Sequence, residues 1–167
     1  MYSTPASLKL FLSIVSSSTD KPWLGRGQFA PEHAHGWQTV APSAIAFSEK
    51  DLVPHALTLE EIQAVKHDFV AAAQRAVDAG FDLIELHAAH GYLLHQFLSP
   101  LSNQRQDQYG GSLENRMRLT LEVLAEVLEV VPQGFPVGVR ISATDWMESQ
   151  ADARDRKSTR LNSSHRC

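Results

Sequence analysis

The sequence predicts an α/β fold that is part of a (β/α)8 TIM barrel, about two to three of the eight βα units such a barrel contains. Three observations point there. The elements run helix, strand, long loop, helix, strand, an order whose crossover makes the two strands parallel. Each strand has an apolar and a polar face: Ile84 and Leu86 oppose Glu85 and His87, and Val137, Val139 and Ile141 oppose Gly138, Arg140 and Ser142. An open parallel sheet covered on both sides would be apolar on both faces, whereas a barrel carries polar residues inward near its catalytic mouth. Finally, the chain has 167 residues where a whole barrel takes about 250, so it reads as a fragment.

Residues 19–57 are rich in Pro, Gly, His and aromatics without period and read as an extended loop over a surface. Trp23, Phe29, Trp37 and Phe47 predict that it packs, because disordered segments are poor in aromatics. Thr58 and Glu61 form a capping-box signature, and Ile62, Val65, Phe69, Ala73, Ala76 and Val77 follow at helical spacing up to Gly80, a C′ residue. Phe81 to His87 is a short apolar strand. A loop of about twenty residues comes next, then a helix capped by Ser112 with Leu113, Met117, Leu121, Leu124, Leu128 and Val131 in one stripe, stopped by Pro132. Pro136 to Ser142 is the second strand.

Three domains of character result: residues 1–18, a non-native segment whose pattern does not join naturally to residues 19 onward; 19–150, the partial barrel; and 151–167, a non-native tail whose Arg, Ser and Asn content breaks from the rest. The apolar run from Leu8 to Val15 has Lys9 inside it and no cleavage site after it, which argues against a secretory signal.

At 43% hydrophobic and 20% charged residues the composition is that of a globular domain, and a formal charge of −4 with scattered basic residues predicts neither nucleic-acid nor membrane binding. The expected partner is a small-molecule substrate, with homo-oligomerisation of the parent left open. The single cysteine, Cys167, excludes an internal disulfide and a cysteine metal site and fits a cytoplasmic location.

Chemistry concentrates at the end of the first strand. His87 and His90 can donate hydrogen bonds to one substrate oxygen and stabilise negative charge developing on it, and Tyr92, protonated at neutral pH, can act as an acid. Barrel active sites lie at the C-terminal strand ends, which places His87 and Arg140 where catalysis is expected and makes the loop from Ala88 to Gly111 a wall or lid. Other readings exist for the same residues. His87, His90 and His95 could ligate zinc, but no carboxylate lies at a helpful spacing, and no metal site is expected. Arg140 could pair with Glu85 inside the barrel. Asn103, Arg105, Asp107 and Tyr109 are expected to shape their loop, and Gly110 and Gly111 to make a turn into the helix.

The stretch HAAHGYLLHQFLSPLSNQRQDQYGGSLENR followed by PVGVRISATDW resembles the Old Yellow Enzyme family of FMN-dependent ene-reductases, and WQTVAPSAIAF resembles its bacterial, thermophilic-like branch. The resemblance covers roughly residues 19–146. It implies a barrel that binds FMN, takes hydride from NAD(P)H and passes it to the β-carbon of an α,β-unsaturated carbonyl or nitro compound. It makes Tyr92, His87 and His90 the catalytic residues, His87, Ala88, Ala89 and His90 the substrate-binding stretch, and Arg140 a cofactor-binding residue at the pyrimidine end of the flavin. The family's first strand and a flavin-binding glutamine have no counterpart where this chain reads SLKLFLSIVSSS, and the phosphate-binding loops would come after its last residue. The alternative functions are therefore a non-catalytic truncated barrel or interaction module unable to retain FMN, and, third, a metal-dependent barrel hydrolase.

Overall fold

A computed structural model describes residues 9–12, 37–47, 49 and 51–145. The tail 151–167 and the aromatics Trp23 and Phe29 lie outside the described residues. The elements in chain order are β1 (Lys9–Leu12), β2 (Val40–Ala41), β3 (His55–Ala56), α1 (Leu59–Asp78), β4 (Leu83–Ala88), α2 (Leu93–Leu98), α3 (Leu113–Val130) and β5 (Val137–Ile141).

β1, β4 and β5 form a parallel sheet with β4 in the centre, while β2 and β3 pair separately, also in parallel. The parallel βα arrangement expected of a partial barrel is present. Four residues of the stretch set apart as 1–18 are built into this sheet, with Lys9 opposite Leu83 and Leu12 opposite Leu86. A strand that short gives no readable period.

α1 begins and ends as its sequence dictates. The Thr58 side chain accepts from the Glu61 amide while the Glu61 carboxylate accepts from the Thr58 amide at 2.7 Å, satisfying two amides that a helix start leaves unpaired. At the other end Gly80 takes φ of 80°, and the amides of Gly80 and Phe81 donate back to the carbonyls of Val77 and Ala76. This is a Schellman ending, which a residue with a Cβ would strain.

The core lies between β4 and the helices: Ile84, Leu86 and Ala88 meet Ile62, Phe69 and Ala73 of α1, Phe97 of α2 and Leu119, Val123 and Val127 of α3. Two expectations need correction here. The stripe read on α3 is not its buried face; Arg116, Leu119, Thr120, Val123 and Val127 are buried, whereas Leu121 and Leu128 are 55% and 51% exposed. α3 is apolar on two sides, and spacing alone cannot say which one a neighbour covers. The second apolar side, with Leu113, Met117, Leu121 and Leu124, lines an open cavity of about 240 Å³ beside Val139 and Ile141 of β5. Likewise Trp37 and Phe47 do not pack as their aromatic character predicts, being 47% and 91% exposed. Their segment is anchored instead by the buried Ala41, Pro42 and Leu57.

The long loop after β4 contains α2, which the sequence does not announce because its N-cap, Tyr92, makes no side-chain capping bond. The remainder is held as expected by its own polar groups: Asn103 Nδ2 donates to the carbonyls of Phe97 and Tyr109 at 2.7 and 2.8 Å. Arg105 reaches further, pairing with Asp107 while donating to the carbonyls of Pro42 and Leu57. It thereby ties the loop to the segment that precedes α1.

Candidate active site

The alternation of β4 puts Ile84, Leu86 and Ala88 on the covered side and leaves Glu85 and His87 on the other. In the register with β5, Glu85 lies opposite Gly138 and His87 opposite Arg140, so the polar residues of both strands share one face. Arg140 Nε lies 2.9 Å from Glu85 Oε1. The Arg140 side chain is half exposed and the Glu85 side chain one-quarter exposed. The carboxylate oxygen is buried and the contact is an ion pair without the alignment of a hydrogen bond.

β4 ends in a turn that folds its next residues back over this face. His90 adopts φ of 57° and Gly91 φ of 80°; for His90, which has a Cβ, the left-handed conformation costs about 1–2 kcal/mol. The turn returns the His90 ring to His87: His90 Nδ1 lies 3.3 Å from His87 Nε2, and the ring centroids are 5.0 Å apart. The Tyr92 ring stands 4.8 Å from that of His87. The predicted His87, His90 and Tyr92 are thus brought together, with Arg140 beside them on the next strand.

The electrostatics favour a neutral His87. Burial, together with the positive charge of His90 and Arg140, holds its imidazole below the usual histidine range, against the opposing pull of Glu85. Its Nδ1 is buried without a hydrogen-bond partner among the described residues. A neutral imidazole donates through one nitrogen only, and here one ring donates to the other. A ligand oxygen would have to open the Nε2···Nδ1 contact to receive a hydrogen bond from both rings.

The two alanines of the motif also go elsewhere. Ala88 is fully buried in the core and Ala89 is 1% exposed, because the strand's alternation turns Ala88 away from the histidine face; their side chains offer a substrate nothing. Of the predicted site residues, His90 lines a cavity of about 780 Å³ with Ile45, Leu52, Leu101 and Asp145, and His87, Tyr92 and Arg140 do not line it. Sequence reasoning missed the groups that hold the turn. Ser142 accepts the His90 amide at 3.1 Å, and His95 and Asp145 stand 3.2 Å apart behind it. All three lie inside the quoted motifs, but nothing in their spacing shows that they meet.

One rim of the parallel βα sheet thus carries two histidines, a tyrosine and an arginine together. The model of the NADH:flavin oxidoreductase / NADH oxidase family matches residues 24–164, and the chain belongs to that family. An NADH:flavin oxidoreductase of Gibberella zeae is 53% identical over 142 residues, 83% of this chain and 34% of the relative. The NADPH dehydrogenase of Bacillus subtilis is 50% identical over 115 residues, 69% of this chain and 33% of the relative. Among solved structures, Old Yellow Enzyme from Pichia sp. superposes with a TM-score of 0.66 at 39% identity, covering 77% of this chain and 37% of that one. Morphinone reductase in complex with tetrahydroNAD gives 0.60 at 41%, covering 66% and 34%. The chain spans about a third of the length of the curated relatives it matches. Among the described residues no helix is long and apolar enough to cross a membrane.

Proposed function

We propose that the chain is a fragment of an FMN-dependent ene-reductase that reduces α,β-unsaturated carbonyl or nitro compounds with NAD(P)H. The observation that carries this reading is the gathering of His87, His90 and Tyr92 on the sheet face that also bears Arg140. The residues fit one end of a flavin: a half-exposed guanidinium in register with His87 supplies positive charge toward a ring that gains electrons. When bound, FMN supplies the hydride chemistry that no side chain can.

The chain's own residues do the rest. His87, kept neutral, and His90 receive the substrate's carbonyl or nitro oxygen and stabilise the charge that develops there. Tyr92, adjacent to His87, supplies a proton to the α-carbon. Arg140, paired with Glu85, would hold the flavin and supply positive charge to it.

A second reading has an observation of its own. β1 and β5 are the outer strands of the sheet, and exposed strand edges seek partners, which favours a non-catalytic partial barrel unable to retain FMN alone. Flavin absorbance and NAD(P)H-dependent enone reduction, measured on the 167-residue chain and on a version completed with the remaining barrel, test both. Activity in the completed protein supports the ene-reductase, and a completed protein that binds flavin but reduces no activated alkene overturns it. Flavin co-purifying with the short chain overturns the second reading.

A further inference from the structure

The turn that carries His90 is held from two sides. Its own amide donates to Ser142 Oγ just beyond β5. The next residue, Gly91, is clamped by α2 through both backbone groups: its amide donates to His95 Nδ1 at 2.9 Å, and its carbonyl accepts from Gln96 Nε2 at 2.8 Å. His95 is itself fixed, with Nε2 3.2 Å from Asp145 Oδ1, while the other Asp145 oxygen accepts from the Ser99 hydroxyl at 2.7 Å. The side chains of His95 and Asp145 are 14% and 15% exposed.

This geometry defines what the chain of groups does. A ring nitrogen that accepts an amide carries no proton, so the His95 proton sits on Nε2, toward Asp145. Ser99 directs its proton to the carboxylate and not to the imidazole, so no hydroxyl is activated and the three do not form a nucleophilic triad. What remains is an oriented acceptor aimed at one backbone amide. That amide belongs to the second of two successive left-handed residues, a backbone that needs outside support where the first has a Cβ.

We infer that His95 is the positioning residue of the His87–His90 pair: its imidazole, held by Asp145, accepts the Gly91 amide and keeps the turn that returns the His90 ring to His87. Its use in catalysis rests on the ene-reductase reading, but the turn it sets needs no ligand. The three substitutions that separate acceptor from bulk are His95→Asn, whose side-chain oxygen replaces Nδ1; His95→Gln, which reaches toward Asp145 and leaves Gly91 unmet; and His95→Phe, which keeps only volume.

The test is amide hydrogen exchange by NMR on the whole 167-residue chain. Exchange at Gly91 should be near wild type in His95→Asn and roughly tenfold or more faster in His95→Gln and His95→Phe, as expected for losing the bond that closes the turn. The Ile84 amide, which donates to Pro136, should stay protected throughout and reports that the fold is intact. The His90 ring nitrogens should shift in the Gln and Phe variants and not in Asn. Equal Gly91 exchange in all four proteins with Ile84 protected would overturn the assignment. If the Phe variant unfolds, the Asn and Gln pair decides, and equal rates in those two overturn it. Since no flavin or alkene is present, failure of the ene-reductase reading leaves this result untouched.

Discussion

His87 and Arg140 face each other across the register of β4 and β5, one imidazole and one guanidinium projecting from neighbouring strands onto the same side of the sheet. The Arg140–Glu85 ion pair lies one step below, on that same face. Positive charge so close is one of the reasons His87 stays neutral.

His87 should therefore titrate below the reference histidine value of about 6.5, with burial as the main cause and His90 and Arg140 adding to it. A histidine kept neutral by the fold contributes stability fully above the unfolded value, and that contribution is lost as pH falls from there through the lower folded value. Ring-proton NMR across roughly pH 4–8 checks this, and Arg140→Gln should move the His87 midpoint upward.

Replacing Arg140 tests whether the ion pair is structural or serves the cofactor. Because both side chains are partly exposed, Arg140→Gln should cost only about 1 kcal/mol of stability by denaturant titration. In the completed barrel the same change should weaken FMN retention at least about tenfold, and adding Glu85→Gln should restore stability without restoring flavin. Flavin dissociation followed by fluorescence reads the difference.

Much of this is legible in the sequence, and the reasons differ by element. The α1 caps are readable because Thr58, Glu61 and Gly80 act within one turn of themselves. The polar sheet face is readable because strand period is two and both strands obey it. The covered side of α3 is not, since Leu121 and Val123 are equally apolar and only the partner decides which is buried. Nor is the His87–His90 contact, which depends on His90 taking a left-handed backbone that normally only glycine advertises. The Arg140–Glu85 pair is one of two options the sequence offers for Arg140; His95 and Asp145 stand far apart in the chain, and no pattern joins them.

Lys66 is the buried cation between α1 and α3, 2.9 Å from Glu126 and 3.1 Å from Glu122. Burial works to lower its pKa, but the bonds to the two glutamates outweigh that and raise it. Lys66→Met should cost about 2–3 kcal/mol, because two carboxylates lose their cation. The contribution should be complete below the unfolded lysine value of about 10.4 and disappear as pH rises through the higher folded one. In denaturant titrations the difference between the two proteins should be full at about pH 7 and shrink as pH is raised above about 10.4.

Gly110→Ala should destabilise by about 2–4 kcal/mol, because a Cβ there would overlap the Arg105 carbonyl and its Cβ. Gly111→Ala, where φ is 80° and space is open, should cost only about 1 kcal/mol. Thermal unfolding of the two variants, compared side by side, distinguishes a close approach from a conformational preference.

On the proposed reading, the histidine pair receives the substrate oxygen. In the completed, FMN-loaded protein, His87→Ala and His90→Ala should each slow enone reduction by on the order of a hundredfold and abolish binding of a phenolic ligand, with flavin content and flavin reduction by NAD(P)H unchanged. Wild-type enone reduction and wild-type phenol affinity in both variants, at full flavin occupancy, would contradict it.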